Sequence, residues 1–266
     1  MDPHADLGWE APGTPEELAD RWVRELDRND VSRAAIIASV PADEDSVEAA
    51  VARHPKRLVG FFMVDPTAPN AIDRAHGGLS VPSIRAVCLF PAMQRFSLHE
   101  ERVARVFEVV AATPGAAVFV HCGVLSVGVR KKLGLPSKFD MRFGNPLDLH
   151  LAAATFPKLP FIIPHFGAGM FREALMLADS CPNVYLDTSS SNGWIRYHPG
   201  LTLETVFRQA LEVAGPDRLL FGSDSSFFPR GWVRDVYEKQ SKLVPAEAAE
   251  RVFGGNFDRL FPLPIE

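Results

Sequence analysis

Cysteine is scarce in this chain, and long apolar runs and clustered positive charge are missing from it. The three cysteines, Cys88, Cys122 and Cys181, are odd in number, widely spaced and set in apolar sequence, with no CxxC pair. That argues against a disulfide framework or a zinc knuckle and predicts reduced, buried thiols of a cytoplasmic protein. No apolar run reaches the ~18 residues of a membrane span, and no charged-then-apolar leader opens the sequence, so neither a membrane helix nor a signal peptide is expected. Lys and Arg number 28 against 33 Asp and Glu, a net charge of −5, and no basic block occurs. Nucleic acid and anionic membranes are therefore poor partners. Internal repeats, low-complexity tracts and Pro/Gly/Ser linkers are also lacking, so residues 1–266 are read as one domain.

What is present is the balance of an ordinary globular chain, 47% hydrophobic and 23% charged. A chain of 266 residues buries a full core without disulfides or a structural metal, so any metal it binds serves chemistry. Short β-branched or aromatic runs alternate with longer amphipathic segments, the pattern of βα units. The strand-like runs fall at residues 34–40, 58–64, 84–90, 117–120, 161–163, 184–186 and 219–222. Most are apolar throughout, as strands covered on both faces are. Helices are expected over 14–28, 43–53, 97–112, 146–154, 169–178, 203–214 and 245–253; the first opens Thr14-Pro15-Glu16-Glu17, a capping box with Pro at the first helical position. Seven strands are clear, and the stub at residues 2–7 is taken as the eighth and first in order. The fold predicted is an α/β (β/α)8 TIM barrel of typical length (~250 residues) with a short first strand. A long segment, residues 123–145, follows the fifth strand and reads as a lid or binding loop, because βα loops usually run ~2–6 residues.

In a parallel barrel the active site gathers at the carboxyl ends of the strands. Sorted by that rule, His54, His76 and His99 lie in or beside helices, and His150 and His198 are peripheral. His121, His165 and Asp224 each close an apolar run. One such residue is as readily a buried, hydrogen-bonded group; three together are costly to bury unless paired or bound to a metal. Asp187 also ends a run, where an Asx-turn is the preferred reading. In Asp2-Pro3-His4-Ala5-Asp6, His4 and Asp6 alternate onto one side of the first strand. His4, Asp6, His121, His165 and Asp224 thus make a candidate cage for a divalent metal, zinc by ligand type with manganese as the alternative. Arg130, Lys131 and Arg142 in the long loop are candidates to pair with a substrate carboxylate, weighed against a solvated basic patch. Phe228 and Trp232 are candidate walls of an apolar pocket, weighed against packing under the last helix.

Five motifs in order carry a resemblance: Phe119-Val120-His121-Cys122-Gly123, Ile163-Pro164-His165-Phe166-Gly167, Asn183-Val184-Tyr185-Leu186-Asp187, residues 218–224 (RLLFGSD) and the ending Gly254-Gly255-Asn256-Phe257-Asp258-Arg259-Leu260-Phe261. The sequence resembles the amidohydrolase superfamily, in particular the amidohydrolase-related group around aminocarboxymuconate-semialdehyde decarboxylase. The resemblance implies metal binding by His121 and Asp224, with His165 as ligand or catalytic group. The group's usual Asp-x-His-x-His reads Asp2-Pro3-His4-Ala5-Asp6 here, with Asp6 in place of the second histidine. The activity implied is hydrolysis of a small lactone or amide by a metal-activated water, with Asp224 as general base and His165 on the carbonyl oxygen. Two alternatives stay open: non-oxidative decarboxylation of an aromatic or unsaturated acid, and a barrel that has lost its metal and binds a ligand without catalysis. The expected partner is a small, carboxylate-bearing substrate, and homodimers, common among relatives, are also open.

Overall fold

The amino-terminal helix shows how directly local sequence sets structure in this chain. In the computed structural model, which describes residues 13–38, 43–125, 134–224 and 232–263 (of Trp232 the backbone alone), it spans Pro15–Arg28. Glu17 N–H donates to Thr14 Oγ1 at 3.3 Å and Thr14 N–H to Glu17 Oε2 at 3.0 Å, closing the capping box. Ala19, Val23 and Leu26, at helical spacing, are its buried face.

Among the described residues seven strands follow: β1 Ala34–Ile37, β2 Leu58–Met63, β3 Ile84–Leu89, β4 Ala117–Val120, β5 Phe161–Ile163, β6 Val184–Asp187 and β7 Leu219–Leu220. All pair in parallel, in chain order from β1 to β7, with Ala34 beside Leu58, Val118 beside Phe161 and Asp187 beside Leu220. Alternate residues feed two cores. Outward-facing Leu58, Phe62, Val87, Val118, Phe161 and Leu186 pack under the helices. Inward-facing Val59, Phe61, Ala86, Cys88, Phe119, Ile162 and Leu220 form one cluster with Ala35 and Tyr185. A flat sheet keeps its first and last strands apart; here Ala35 and Leu220 share a single small cluster, so the sheet curls on itself as a barrel sheet does. Among the described residues β7 and β1 do not pair. The stub expected to close that seam, residues 2–7, lies outside the described residues.

The carboxyl-terminal signature has a packing role. Phe257 and Phe261 join the inner cluster, with Phe261 edge-on to Phe61 at 5.2 Å. Arg33, just before β1, pairs with Asp258 at 2.6 Å and donates to the Phe261 carbonyl at 2.7 Å. Fully buried Asn256 donates from Nδ2 to the carbonyls of Pro216 and Leu219, both at 2.7 Å, and so fixes the entry to β7. Asn256→Ala strands the buried Leu219 carbonyl and the partly buried Pro216 carbonyl. It is expected to lower unfolding free energy by about 1–3 kcal/mol, read as a lower denaturant midpoint at unchanged slope.

Among the described residues four α-helices lie outside the predicted ranges, the short Pro91–Gln94 and Asn256–Leu260 and two longer ones. Ala71–Ser80 buries Ala71, Ala75, Gly78 and Leu79, a face too small to stand out as an apolar stripe. It is small because the Phe62 ring lies against Gly78 where a Cβ would be. Trp232–Gln240 carries charge on most turns and buries only part of one side. The predicted helix 146–154 is a 3-10 turn, Pro146–Leu149, running into Leu149's successor helix His150–Thr155. The three cysteines are buried free thiols, and burial pushes the pKa of Cys88 and Cys122 up. No helix among the described residues is long and apolar enough to cross a membrane.

Candidate active site

Strand parity aims part of the site. Phe119 faces the inner cluster, so His121, two residues on, faces the same way, and its N–H still pairs with the Leu89 carbonyl at 2.9 Å. Tyr185 places Asp187 inward, while Ser189 and Asp224 lie past the ends of β6 and β7 and line the same cavity. His165 breaks the rule. Ile163 packs outward, so simple alternation sends His165 outward too. Left-handed backbone at His165 (φ 57°) and Phe166 (φ 52°) turns the chain and brings the imidazole into the site. Ala168, Ser190, Asn192 and Asp224 also have positive φ, so strained backbone gathers at the carboxyl ends of β5 to β7.

The groups meet around one cavity, lined among others by Phe90, His121, His165, Asp187, Ser189 and Asp224. The His121 and His165 rings stand edge to face, 5.2 Å between centroids, and Phe90 stacks on His121 at 5.6 Å. His121 is 5% exposed, and burial, with His165 adding, lowers its pKa to about 3. It is therefore a neutral imidazole at physiological pH, the form that ligates metals. Its Nδ1 is buried without a hydrogen-bond partner among the described residues. Ser189 Oγ sits 2.8 Å from His165 Nδ1. Asp224 is exposed as a residue, yet protein atoms crowd its carboxyl group. That burial raises its pKa, His165 pulls it back, and the Asp187 carboxylate pushes it further up. Asp187 Oδ1 accepts the Ser189 N–H at 2.6 Å, the Asx-turn expected of it, while its charge also reaches the site.

The other candidates divide. His54 bonds Asp20 and His198 the Gly169 carbonyl, while His76 and His150 are exposed, in keeping with peripheral roles. Arg142 does not join the site: it is exposed, with Nε and Nη2 held by Asp140, and does not line the cavity. Arg196, which the sequence reading passed over, does line it, its guanidinium over the Tyr197 ring at 5.1 Å. The long segment leaves and returns at one neck, where Gly123 N–H donates to the Gly144 carbonyl at 2.7 Å. His4, Asp6, Arg130, Lys131, Phe228 and the Trp232 side chain lie outside the described residues. Ser189 had no sequence signal beyond lying two residues past a motif, and Phe90 none beyond closing the run 84–90.

The family model described as Amidohydrolase matches residues 14–263, nearly the whole chain. The chain belongs to this amidohydrolase family. Membership accounts for the order of the motifs and for their convergence at strand ends. Among curated proteins, Protein fluG of Emericella nidulans is 34% identical over 101 residues, which is 36% of this chain and 11% of that protein; the chain thus spans about a tenth of this relative. A TIM-barrel protein of Bordetella bronchiseptica matches with a TM-score of 0.71 at 20% identity, covering 96% of this chain and 87% of that one. The 5-carboxyvanillate decarboxylase of Sphingomonas paucimobilis matches at 0.66 and 17%, covering 99% and 87%. An Acinetobacter baumannii protein described as a probable 2-pyrone-4,6-dicarboxylic acid hydrolase matches at 0.66 and 13%, covering 91% and 88%. At such identities these structures speak to the fold.

Whether the residues suit a divalent metal is tested by the donors themselves. The buried, unpartnered Nδ1 of neutral His121 suits a ligand, and Asp224 supplies a carboxylate at the same cavity. Among the described residues no three of His, Cys, Asp and Glu form a group able to hold an ion. The described donors fit part of a ligand set, which His4 and Asp6 would have to complete.

Proposed function

We propose that this chain is a metal-dependent hydrolase of a small, carboxylate-bearing lactone or amide. The observation that carries the reading is the meeting of His121, His165 and Asp224 from three strand ends at one cavity. His121 and Asp224, with His4 and Asp6, would hold the ion, zinc or manganese. When bound it supplies a Lewis acid for the substrate carbonyl oxygen. Asp224 accepts the proton of the attacking water and returns it to the leaving oxygen or nitrogen. His165, with Nδ1 engaged by Ser189, presents Nε2 to the oxygen on which negative charge develops. Phe90 and the barrel interior below exclude water from that charge.

Decarboxylation of an aromatic acid is the second reading. Phe90, Trp194 and Tyr197 give the cavity aromatic walls, and one structural neighbour is named as the decarboxylase of an aromatic acid. Turnover of lactones, amides and aromatic acids in ¹⁸O-water separates the two. One ¹⁸O in the organic product without carbon dioxide is the result expected; carbon dioxide release without label in the organic product overturns hydrolysis in favour of the lyase. A second expectation concerns the ion. Protein purified without chelators should contain zinc or manganese near one per chain by elemental analysis, and His121→Ala should lose most of it. A wild-type chain free of metal that nevertheless turns over substrate would sink the metal reading.

A further inference from the structure

The loop after β6 is unusually well tied for a surface connection, and its ties converge on one hydroxyl. Thr188 Oγ1 donates to Gln240 Oε1 at 2.7 Å, and Gln240 Nε2 donates back to the Thr188 carbonyl at 2.8 Å. Both residues are buried, so helix Trp232–Gln240 and the loop are locked by a closed pair of hydrogen bonds. Asn192 Nδ2 bonds the Thr188 carbonyl at 3.2 Å and the Ser190 carbonyl at 3.3 Å, and Trp194 Nε1–H donates to Asn192 Oδ1 at 3.0 Å. The left-handed backbone of Ser190 (φ 72°) and Asn192 (φ 51°) persists only where neighbours enforce it. Between these anchors, Asp187 Oδ1 takes the Ser189 N–H. Ser189, 4% exposed, is left with its Oγ at His165 Nδ1.

We propose that Ser189 is a positioning residue that fixes His165 by donating its hydroxyl proton to Nδ1, so that His165 carries its own proton on Nε2, toward the cavity. The Asp187 carboxylate already takes the Ser189 N–H and anchors the residue beside the ring. An imidazole ring turns about its side-chain torsion and exchanges tautomers freely unless one nitrogen is claimed. Nothing in the motif Pro164-His165-Phe166-Gly167 claims one; the turn that carries it supplies backbone strain rather than a side-chain partner. The buried network from Gln240 to Ser189 supplies the missing constraint, and it comes from a different part of the chain. Partners of this kind, outside direct contact with the reacting atoms, typically alter activity by ~10–100-fold.

This inference rests on the proposed role of His165, and its test is chosen to be separable from it. In the full-length protein as purified, ¹⁵N-resolved spectra of the imidazoles, with His165 assigned by its loss in His165→Gln, report the tautomer without any turnover. The wild type should show a protonated Nε2 and an unprotonated, hydrogen-bonded Nδ1. Ser189→Ala should give averaged or reversed tautomers, with kcat reduced about 10–100-fold and KM little changed, and Ser189→Thr should restore both readouts. If the Ala variant does not fold, Ser189→Cys keeps the volume with a weaker donor, and the same shift in tautomer and kcat is expected. An unaltered tautomer and kcat in Ser189→Ala or Ser189→Cys overturns the proposal, as does a wild-type His165 protonated on Nδ1. A fixed tautomer in a chain that turns over neither lactones, amides nor aromatic acids would instead count against the proposed function and leave the positioning role standing.

Discussion

Asp224→Asn is expected to lower kcat by about 10²–10⁴-fold while leaving the fold intact. The substitution keeps the shape of the side chain and removes the proton acceptor and the charge at the mouth of the site. The effect on stability has a definite sign. Burial raises the Asp224 pKa, so the folded state holds that proton more tightly than the unfolded chain. The carboxylate's contribution therefore falls as pH rises from the unfolded value (~3.9) through the raised folded value, and stays low above it. Asn has no such loss. With metal removed from both proteins, the variant should melt at or above the wild-type temperature near neutral pH, with the difference shrinking in mild acid. A paired measurement of kcat and of melting temperature against pH checks both parts. Near wild-type kcat in the Asn variant would remove Asp224 from the chemistry; a large loss of stability at neutral pH would contradict the origin given for its raised pKa.

Gly123→Ala is expected to cost about 2–4 kcal/mol of stability and to lower the melting temperature by roughly 5–15 °C. Gly123 follows His121 by two residues and has φ +76°. A Cβ there would overlap the backbone carbonyl oxygens of Gly167 and Ala168, in the turn that carries His165. Two backbones approach closely at this point, and neither is the flexible end of a side chain able to swing away. Relief requires the His121 and His165 loops to separate, so turnover should fall with stability. Gly115→Ala provides the comparison: its φ is +72°, and nothing lies within 4 Å of the Cβ it would gain. Only the backbone strain remains there, about 1 kcal/mol. Equal destabilisation by the two substitutions, measured by denaturant titration, would mean that the close approach at Gly123 carries no energy.

The strands were legible because a parallel strand covered on both faces is apolar along its whole length, and that signal is local. His121 and Asp187 were legible for a related reason: each follows an inward-facing residue by two positions, so the period of the strand aims it, whereas Asp224, four residues past β7 and at positive φ, was legible from its motif. His165 stands out by its motif, but its direction depends on a left-handed turn that alternation does not foresee. Arg142 shows the reverse failure. Charge type and loop position recommended it, while Asp140, two residues away in the chain, takes its guanidinium in the folded structure. The helix Ala71–Ser80 went unread because the Phe62 ring leaves room only for small residues on its buried side, and small residues make a weak amphipathic pattern.

By itself the sequence determined the alternation of strands and helices, the family and the three residues at the strand ends, because period, capping and motif order are properties of neighbours along the chain. The tertiary structure alone decided which nitrogen of His165 is held, that Arg142 is taken by Asp140 while Arg196 lines the cavity, and why the terminal Asn256, Phe257 and Phe261 matter. Apart from the Arg142–Asp140 pair, those depend on contacts between residues 24 to 200 positions apart, such as Ser189 with His165 and Phe61 with Phe261. No local pattern encodes a partner that arrives only when the sheet curls and brings the ends of its strands together.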